Sequence, residues 1–276
     1  MTINTDRIVV REFGKEWAAF DQSALSEREL EEMFDGYFHI FPWESLPDAA
    51  VGFDLGCGSG RWARLVAPRV GTLHCIDASY EALEVARRNL TEHGNCVFHL
   101  ATVETIPLPD AGADFGYCLG VLHHLPDAAA GLRSCAAKLK TGAPFLVYLY
   151  FAFDNKPRWY FAIWRASEMI RTLLSRTPFR IKFLAANLIA ALVYWPLARL
   201  AKIIEKSGRD PDSVPLSYYR NRSLYVMRTD ALDRFGTRLE HRFTKGMIES
   251  MLRDAGFERI TFSTSRPYWC AVCYKK

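Results

Sequence analysis

The sequence has no long run of lysine or arginine and carries a formal net charge of only +4, which excludes the basic tails that hold nucleic acid without a fold. No secretory signal opens it. Its seven cysteines are odd in number and scattered through segments that read as strands and helices, so a disulfide framework is excluded and a reducing cytoplasm is the expectation. Cys270 and Cys273 form a CxxC, but no second pair or nearby histidine completes a zinc set, so no metal is expected. In an alternating strand these two read as packing residues. A disordered chain is also excluded. Half of the 276 residues are hydrophobic, enough to bury a substantial core in one elaborated domain or one domain with a large insertion.

From 51 to 150, short apolar runs alternate with helical periods, the signature of a parallel sheet wound with helices. The strands expected are 51–55, 72–76, 96–100, 113–119 and 144–150, with helices near 60–67, 79–93 and 127–140. Residues 241–276 repeat the pattern once: Thr244 to Ala255 has helical spacing, Gly256 supplies the stop, and 257–263 and 268–274 pair as a closing antiparallel hairpin. The fold class expected is therefore α/β, a Rossmann-like seven-stranded sheet of five parallel strands plus that hairpin. Residues 1–50, with Phe13, Trp17 and Phe20 at helical spacing, read as an N-terminal helical lid. Residues 151–240 interrupt the alternation and read as a helical cap inserted above the carboxyl ends of the strands, where ligands bind in such folds.

The first strand runs into Asp54-Leu55-Gly56-Cys57-Gly58-Ser59-Gly60-Arg61-Trp62. Glycines at 56, 58 and 60 let the backbone turn sharply and approach a ligand closely. The spacing is GxGxG, whereas the dinucleotide fingerprint places its third glycine one residue later, with a pyrophosphate on the helix. A ligand without phosphates suits this turn better. Some 20 residues on, Asp77 ends the second strand, where a carboxylate accepts from ribose hydroxyls; a helix cap or a solvated loop acid is the alternative, although Ser79 can fill the cap role.

FDLGCGSGRWA, CIDASYEALEVAR, ATVETIPLPDAGADF and CLGVLHHLPD, in this order and spacing, resemble the class I S-adenosylmethionine (SAM)-dependent methyltransferases of the ubiquinone/menaquinone-biosynthesis-like group. The resemblance implies that SAM is the cofactor, that Asp54, Gly56, Cys57, Gly58 and Gly60 border its methionine end, that Asp77 holds the ribose, and that Ala78 packs on the adenine. Relatives usually carry Gly-Asp-Ala-Glu after the third strand; here the sequence is Ala101-Thr102-Val103-Glu104. Adenine recognition is then expected from Thr102, the backbone at Val103, and Glu104. Leu119, ending the fourth strand, completes the expected cofactor contacts.

Methyl transfer from a sulfonium is an in-line displacement in which alignment and exclusion of water do most of the work. In the resembling family the stretch 119–127 edges the transfer pocket. It lacks the polar-Pro-Pro-aromatic arrangement of nucleic-acid amino-methyltransferases, so no nucleic acid is expected. His123 and His124 are candidate bases, since imidazole titrates near neutral pH, or have a structural role; His241 is a third candidate, or a solvated loop residue. Trp17 is a candidate to close over cofactor or acceptor. Tyr218, Tyr219, Arg220 and Arg222 are candidate acceptor contacts, the guanidiniums clamping an anionic group or bridging cap to core. The implied reaction is methylation of a small-molecule or lipid-like acceptor, with oxygen the commonest acceptor atom; a membrane-resident quinone precursor or a non-catalytic SAM-binding protein are the alternatives.

Residues 151–210 hold eleven Lys or Arg against four Asp or Glu, leaving that stretch at +7 and the rest at −3. Within it, 183–200 is nearly all apolar but contains Asn187, Pro196 and Arg199 and is short for a spanning helix. A lid packed on the core is one reading. The other is peripheral membrane contact through 158–206 at the inner membrane face, with Arg171, Arg176, Arg180, Lys182, Arg199 and Lys202 meeting anionic lipid.

Overall fold

The computed structural model describes residues 4–276; the first three residues of the expected 1–50 segment lie outside them. The chain divides into two compact units. The first comprises the residues up to Ser23, Leu30–Asp154 and Leu239–Lys276, and the second Ala24–Glu29 and Asn155–Arg238.

The first unit is built on strands β1 (Val51–Leu55), β2 (Thr72–Asp77), β3 (Cys96–Leu100), β4 (Phe115–Leu119), β5 (Pro144–Tyr148), β6 (Phe257–Phe262) and β7 (Ala271–Lys275), which form one seven-stranded sheet in the order β3-β2-β1-β4-β5-β7-β6. Six strands point the same way. β7 alone is antiparallel, inserted between β5 and β6. The order reverses between β1 and β4, so the crevice beyond their carboxyl ends is the topological switch point where ligands bind in open α/β sheets. Side-chain fit fixes the β1–β4 pair: a Cβ on Gly52 would lie 2.1 Å from the Phe115 ring, and one on Gly116 2.4 Å from that of Phe53. Phe53, Phe145 and Phe257 are fully buried along one sheet face, with Phe145 stacked on Phe257 at 5.3 Å; each stabilises the fold by roughly 2 kcal/mol through burial.

The helices are α1 (Arg7–Ala19), α2 (Glu27–Phe38), α3 (Ala63–Val66), α4 (Tyr80–Asn89), α5 (Ala128–Lys138), α6 (Arg158–Leu174), α7 (Phe179–Ile189), α8 (Trp195–Lys206), α9 (Leu224–Gly236) and α10 (Lys245–Asp254). Local chemistry sets their ends. Asp6, Ser79, Asp127 and Thr244 cap α1, α4, α5 and α10 through side-chain oxygens, and Gly256 stops α10 at φ +90°, each satisfying end groups that a helix leaves unpaired.

In the second unit α9 is the core helix, burying Val226, Met227, Ala231, Leu232 and Phe235. Its C-terminal carbonyls are capped by two buried cations. Lys182 Nζ donates to Gly236 O at 3.0 Å, and Arg171 Nη1 to Thr237 O at 2.8 Å and Arg238 O at 3.1 Å, the sign of charge that a helix C-terminus favours. Ala24–Glu29 joins this unit rather than the N-terminal piece, with Glu29 Oε1 accepting from Ser223 N at 2.7 Å.

The structure corrects one sequence expectation here. The apolar stretch is not short. α7 continues into α8 through a π-helical turn at Ala190–Tyr194, giving an uninterrupted helix, Phe179–Lys206, of 28 residues that is long and apolar enough to cross a membrane. Pro196 directly follows that π-helical turn, a local widening of the helix of the kind found where a proline interrupts the hydrogen-bond ladder. Three of the six bases expected at lipid are spent inside the unit: Arg171 and Lys182 on α9, and Arg199 on the carbonyls of Arg220 and Arg222 at 3.5 and 3.2 Å.

Candidate active site

The glycine turn leaves β1 and is pinned to the end of β2, for Gly56 N and Cys57 N both donate to Ile76 O, at 2.7 and 3.0 Å. Gly56, Gly58 and Gly60 have φ of +76°, +54° and +76°, the left-handed region in which a Cβ is strained. From outside, Asn89 Nδ2 holds Ser59 O at 2.9 Å. Nothing in the local sequence announced that contact.

Asp54 and Asp77 flank the turn. Asp77 Oδ2 accepts from Gly58 N at 2.9 Å and Oδ1 from Ser79 N at 2.8 Å, and Ser79 takes the cap of α4 by accepting from Ala82 N. Burial raises the Asp77 carboxyl above its ordinary value, while the backbone N–H groups of Ser79, Gly58 and Ala78 pull it back. Asp54 is 2 % exposed and its Oδ2 has no hydrogen-bond partner. Burial pushes its carboxyl up to about 8, the Tyr117 hydroxyl beside it pulling the other way. A buried acceptor left without a donor is costly, and a cationic amine at this oxygen would repay it.

A cleft of about 490 Å³ opens beyond Asp77, lined by Arg7 and Val10 of α1 and by Ala78, Tyr80, Thr102 and Glu104. The Thr102 and Thr105 hydroxyls pair at 3.1 Å. Val103 is buried in the core behind the cleft. Glu104 is held by the chain's own N-terminal segment: Asn4 N donates to Oε1, and Thr5 Oγ1 reaches Oε2 at 2.9 Å. Asn4 also exchanges two hydrogen bonds with the Asp127 backbone, at 2.8 and 2.7 Å. Further along α1, a Cβ on Gly58 would lie 2.7 Å from the Trp17 indole, so Trp17 covers the glycine turn. The Arg61 guanidinium lies over Trp17 and Trp62, at 5.3 and 4.5 Å from the ring centroids. Leu119 ends β4 opposite Tyr148.

The three histidines come together. His241 N donates to His123 O at 2.9 Å, the His123 and His124 rings are 4.1 Å apart, and His124 Nδ1 meets Leu239 O at 2.7 Å. A carbonyl only accepts, so Nδ1 carries the proton and Nε2 is the basic nitrogen of the neutral ring. His123 is fully buried with neither ring nitrogen hydrogen-bonded, and stacks on Tyr150 at 3.7 Å. Burial first, then His124, Arg242 and His241, hold its pKa well below the usual imidazole value, so it is neutral at pH 7. Phe13 of α1 covers His124 at 4.9 Å, and Tyr148 meets Tyr37 at 5.3 Å.

Sequence reasoning missed Tyr117, Tyr150 and Arg242. Tyr150 lies just past the carboxyl end of β5, a readable signal, whereas Phe13, one helical turn before Trp17, was already read as part of the N-terminal lid. Tyr218, Tyr219, Arg220 and Arg222 find partners inside the second unit. Tyr219 Oη donates to Asp230 at 2.9 Å, Arg220 pairs with Glu205 at 2.9 Å, and Arg222 lies over Tyr218.

A family model described as a methyltransferase domain matches residues 53–147. The chain is 32 % identical over 181 residues to a ubiquinone biosynthesis O-methyltransferase of Nitrosomonas europaea, covering 64 % of this chain and 71 % of that protein. It is 32 % identical over 135 residues to the enzyme of the same description from Vibrio parahaemolyticus, covering 48 % of this chain and spanning 56 % of that protein. Among solved structures, an O-methyltransferase family protein from Burkholderia thailandensis superposes with a TM-score of 0.54 at 15 % identity, covering 94 % of this chain and 59 % of that one, a likeness of fold. With the family model seated on the switch-point strands and the Nitrosomonas relative matched over most of its length, this chain belongs to the class I SAM-dependent methyltransferases.

Proposed function

We propose that this methyltransferase acts on a hydroxyl of a small, flat apolar acceptor, with His124 taking the hydroxyl proton. The observation that carries the reading is the hydrogen bond from His124 Nδ1 to Leu239 O at 2.7 Å, which fixes the tautomer and leaves Nε2 as a base, the arrangement general base catalysis needs. Neutral His123, packed against it, adds no competing positive charge.

The residues suit SAM on three counts: an unpartnered buried acid for a cationic amine, a turn of glycines at positive φ that presents bare backbone, and an acid at the end of β2 for a ribose. In this reading Asp54, Gly56, Cys57, Gly58 and Gly60 hold the methionine end, Asp77 the ribose, Ala78, Thr102, Val103 and Glu104 the adenine, and Leu119 the side towards transfer. When bound, SAM supplies an activated methyl on a sulfonium. Trp17 and Phe13 exclude water as the lid that α1 forms, Tyr37, Trp62, Tyr148 and Tyr150 offer aromatic surface to the acceptor, and His124 accepts its proton at Nε2.

The names of the Nitrosomonas and Vibrio relatives support oxygen as the acceptor atom. The test is a panel of hydroxylated aromatic acceptors, with matched amines and thiols, assayed with methyl-labelled SAM and product mass spectrometry. Label fixed on oxygen supports the reading, and transfer only to nitrogen, sulfur or carbon contradicts it.

A further inference from the structure

We infer that the second unit docks on an anionic lipid bilayer through the face formed by α6, α7 and α8. The inference is independent of the acceptor reading. It starts from an inversion in the 28-residue helix Phe179–Lys206. Soluble helices turn their large apolar side chains inward, whereas this one buries mainly small residues, Ala186, Ala190, Ala198 and Ala201, all at 1 % exposure or less, with Tyr194 the large side chain among them. Its large residues stand in solvent at helical spacing: Ile181, Leu184, Leu188, Leu192, Trp195 and Ile203 are 47–72 % exposed. Only 28 % of its most apolar 18-residue stretch is buried. On α6 the exposed residues include Met169 at 72 % and Leu173 at 73 %. Large apolar side chains exposed in a row along a helix mark an interaction surface.

Charge selects the partner. Residues 155–209 hold eleven Lys or Arg and two acids, Glu168 and Glu205, and both acids are already paired, with Arg171, Arg234 and Arg220. Arg158, Arg165, Arg176, Arg180 and Lys206 are exposed, and among the described residues none of them has an ion-pair partner. Two copies meeting through this face would bring like charges together, whereas anionic headgroups complement them. The helix lies on the bilayer rather than across it. One side is fastened to its own unit by Lys182 on Gly236 O, by Arg228 on Asn187 Oδ1 and by Arg199 on two carbonyls, so lipid cannot surround it. An apolar face with cationic flanks, held at the interface, is the geometry of a monotopic anchor.

The experiment is co-sedimentation of the full chain with phosphatidylglycerol/phosphatidylcholine vesicles and with phosphatidylcholine alone. The wild type is expected to pellet with the anionic vesicles at least about tenfold better than with the neutral ones, less so in high salt. Leu188→Asp with Leu192→Asp, both exposed, should remove most binding while far-UV circular dichroism and cofactor affinity stay unchanged. Should that variant misfold, Arg176→Glu with Arg180→Glu asks the same question through charge alone and should lower binding to anionic vesicles several-fold. Wild-type protein that stays in the supernatant with both vesicles overturns the inference, as does a dimer in solution that Leu188→Asp with Leu192→Asp dissociates.

Discussion

Asp77 Oδ2 accepts a 2.9 Å hydrogen bond from the backbone N–H of Gly58, tying the carboxyl end of β2 to the middle of the glycine turn. One carboxylate thus fixes the turn, and it is the residue proposed to hold the ribose. Losing a hydrogen bond to a charged group costs about 1.5–3 kcal/mol, or roughly tenfold to a hundredfold in affinity. Asp77→Ala should therefore weaken SAM binding by at least about tenfold in calorimetric titration. Unchanged affinity would remove Asp77 from the cofactor site.

Asp54 yields a proton-linkage prediction. Its carboxyl, pushed up to about 8 by burial, is mostly protonated at pH 7, its Oδ2 has no partner, and the residue stands at the entry to the glycine turn proposed to hold a methionine ammonium. A cation there favours the carboxylate, so SAM binding at pH 7 should release close to one proton, read as a dependence of binding enthalpy on buffer ionisation enthalpy. Asp54→Asn should abolish the dependence and weaken binding. An enthalpy that does not change with buffer would contradict this role.

His124 is tested by separating binding from turnover. His124→Ala should lower kcat by roughly a hundredfold or more, the usual contribution of a general base, and leave SAM affinity intact. Full turnover in the variant would exclude it as the base.

His123 links stability to pH. Its folded pKa lies well below the ordinary imidazole value, so below about pH 6.5 the unfolded chain binds a proton that the folded chain refuses. Its stabilising contribution is therefore complete above that pH and is lost as pH falls, at up to about 1.4 kcal/mol per unit. Asp54 acts in the opposite sense, since its folded value is raised. The comparison that isolates His123 is urea unfolding of wild type and His123→Leu at pH 7 and 5.5, with wild type expected to lose more stability on acidification. Parallel curves would contradict a neutral buried imidazole.

The sheet and the glycine turn were legible in the sequence because they depend on local signals. Strand residues alternate with helical periods, Ser79, Asp127 and Thr244 cap the helices that follow them, and glycines 56, 58 and 60 take up the positive φ the turn requires. What was not legible depends on distant partners. His124 is oriented by Leu239, 115 residues away, and Glu104 by Asn4 and Thr5 about 100 residues away. Arg171 and Lys182 looked like surface bases and instead cap the far end of α9. The 28-residue helix was hidden because Pro196 reads as a breaker until the π-helical turn that precedes it is known.

Every role proposed above requires that the glycine turn with Asp54 and Asp77 bind SAM. Isothermal titration of the purified chain with SAM, and separately with S-adenosylhomocysteine, tests it most directly. One-to-one binding of both, in the micromolar range, is the expected result, and the absence of heat from either ligand up to millimolar concentration would contradict it.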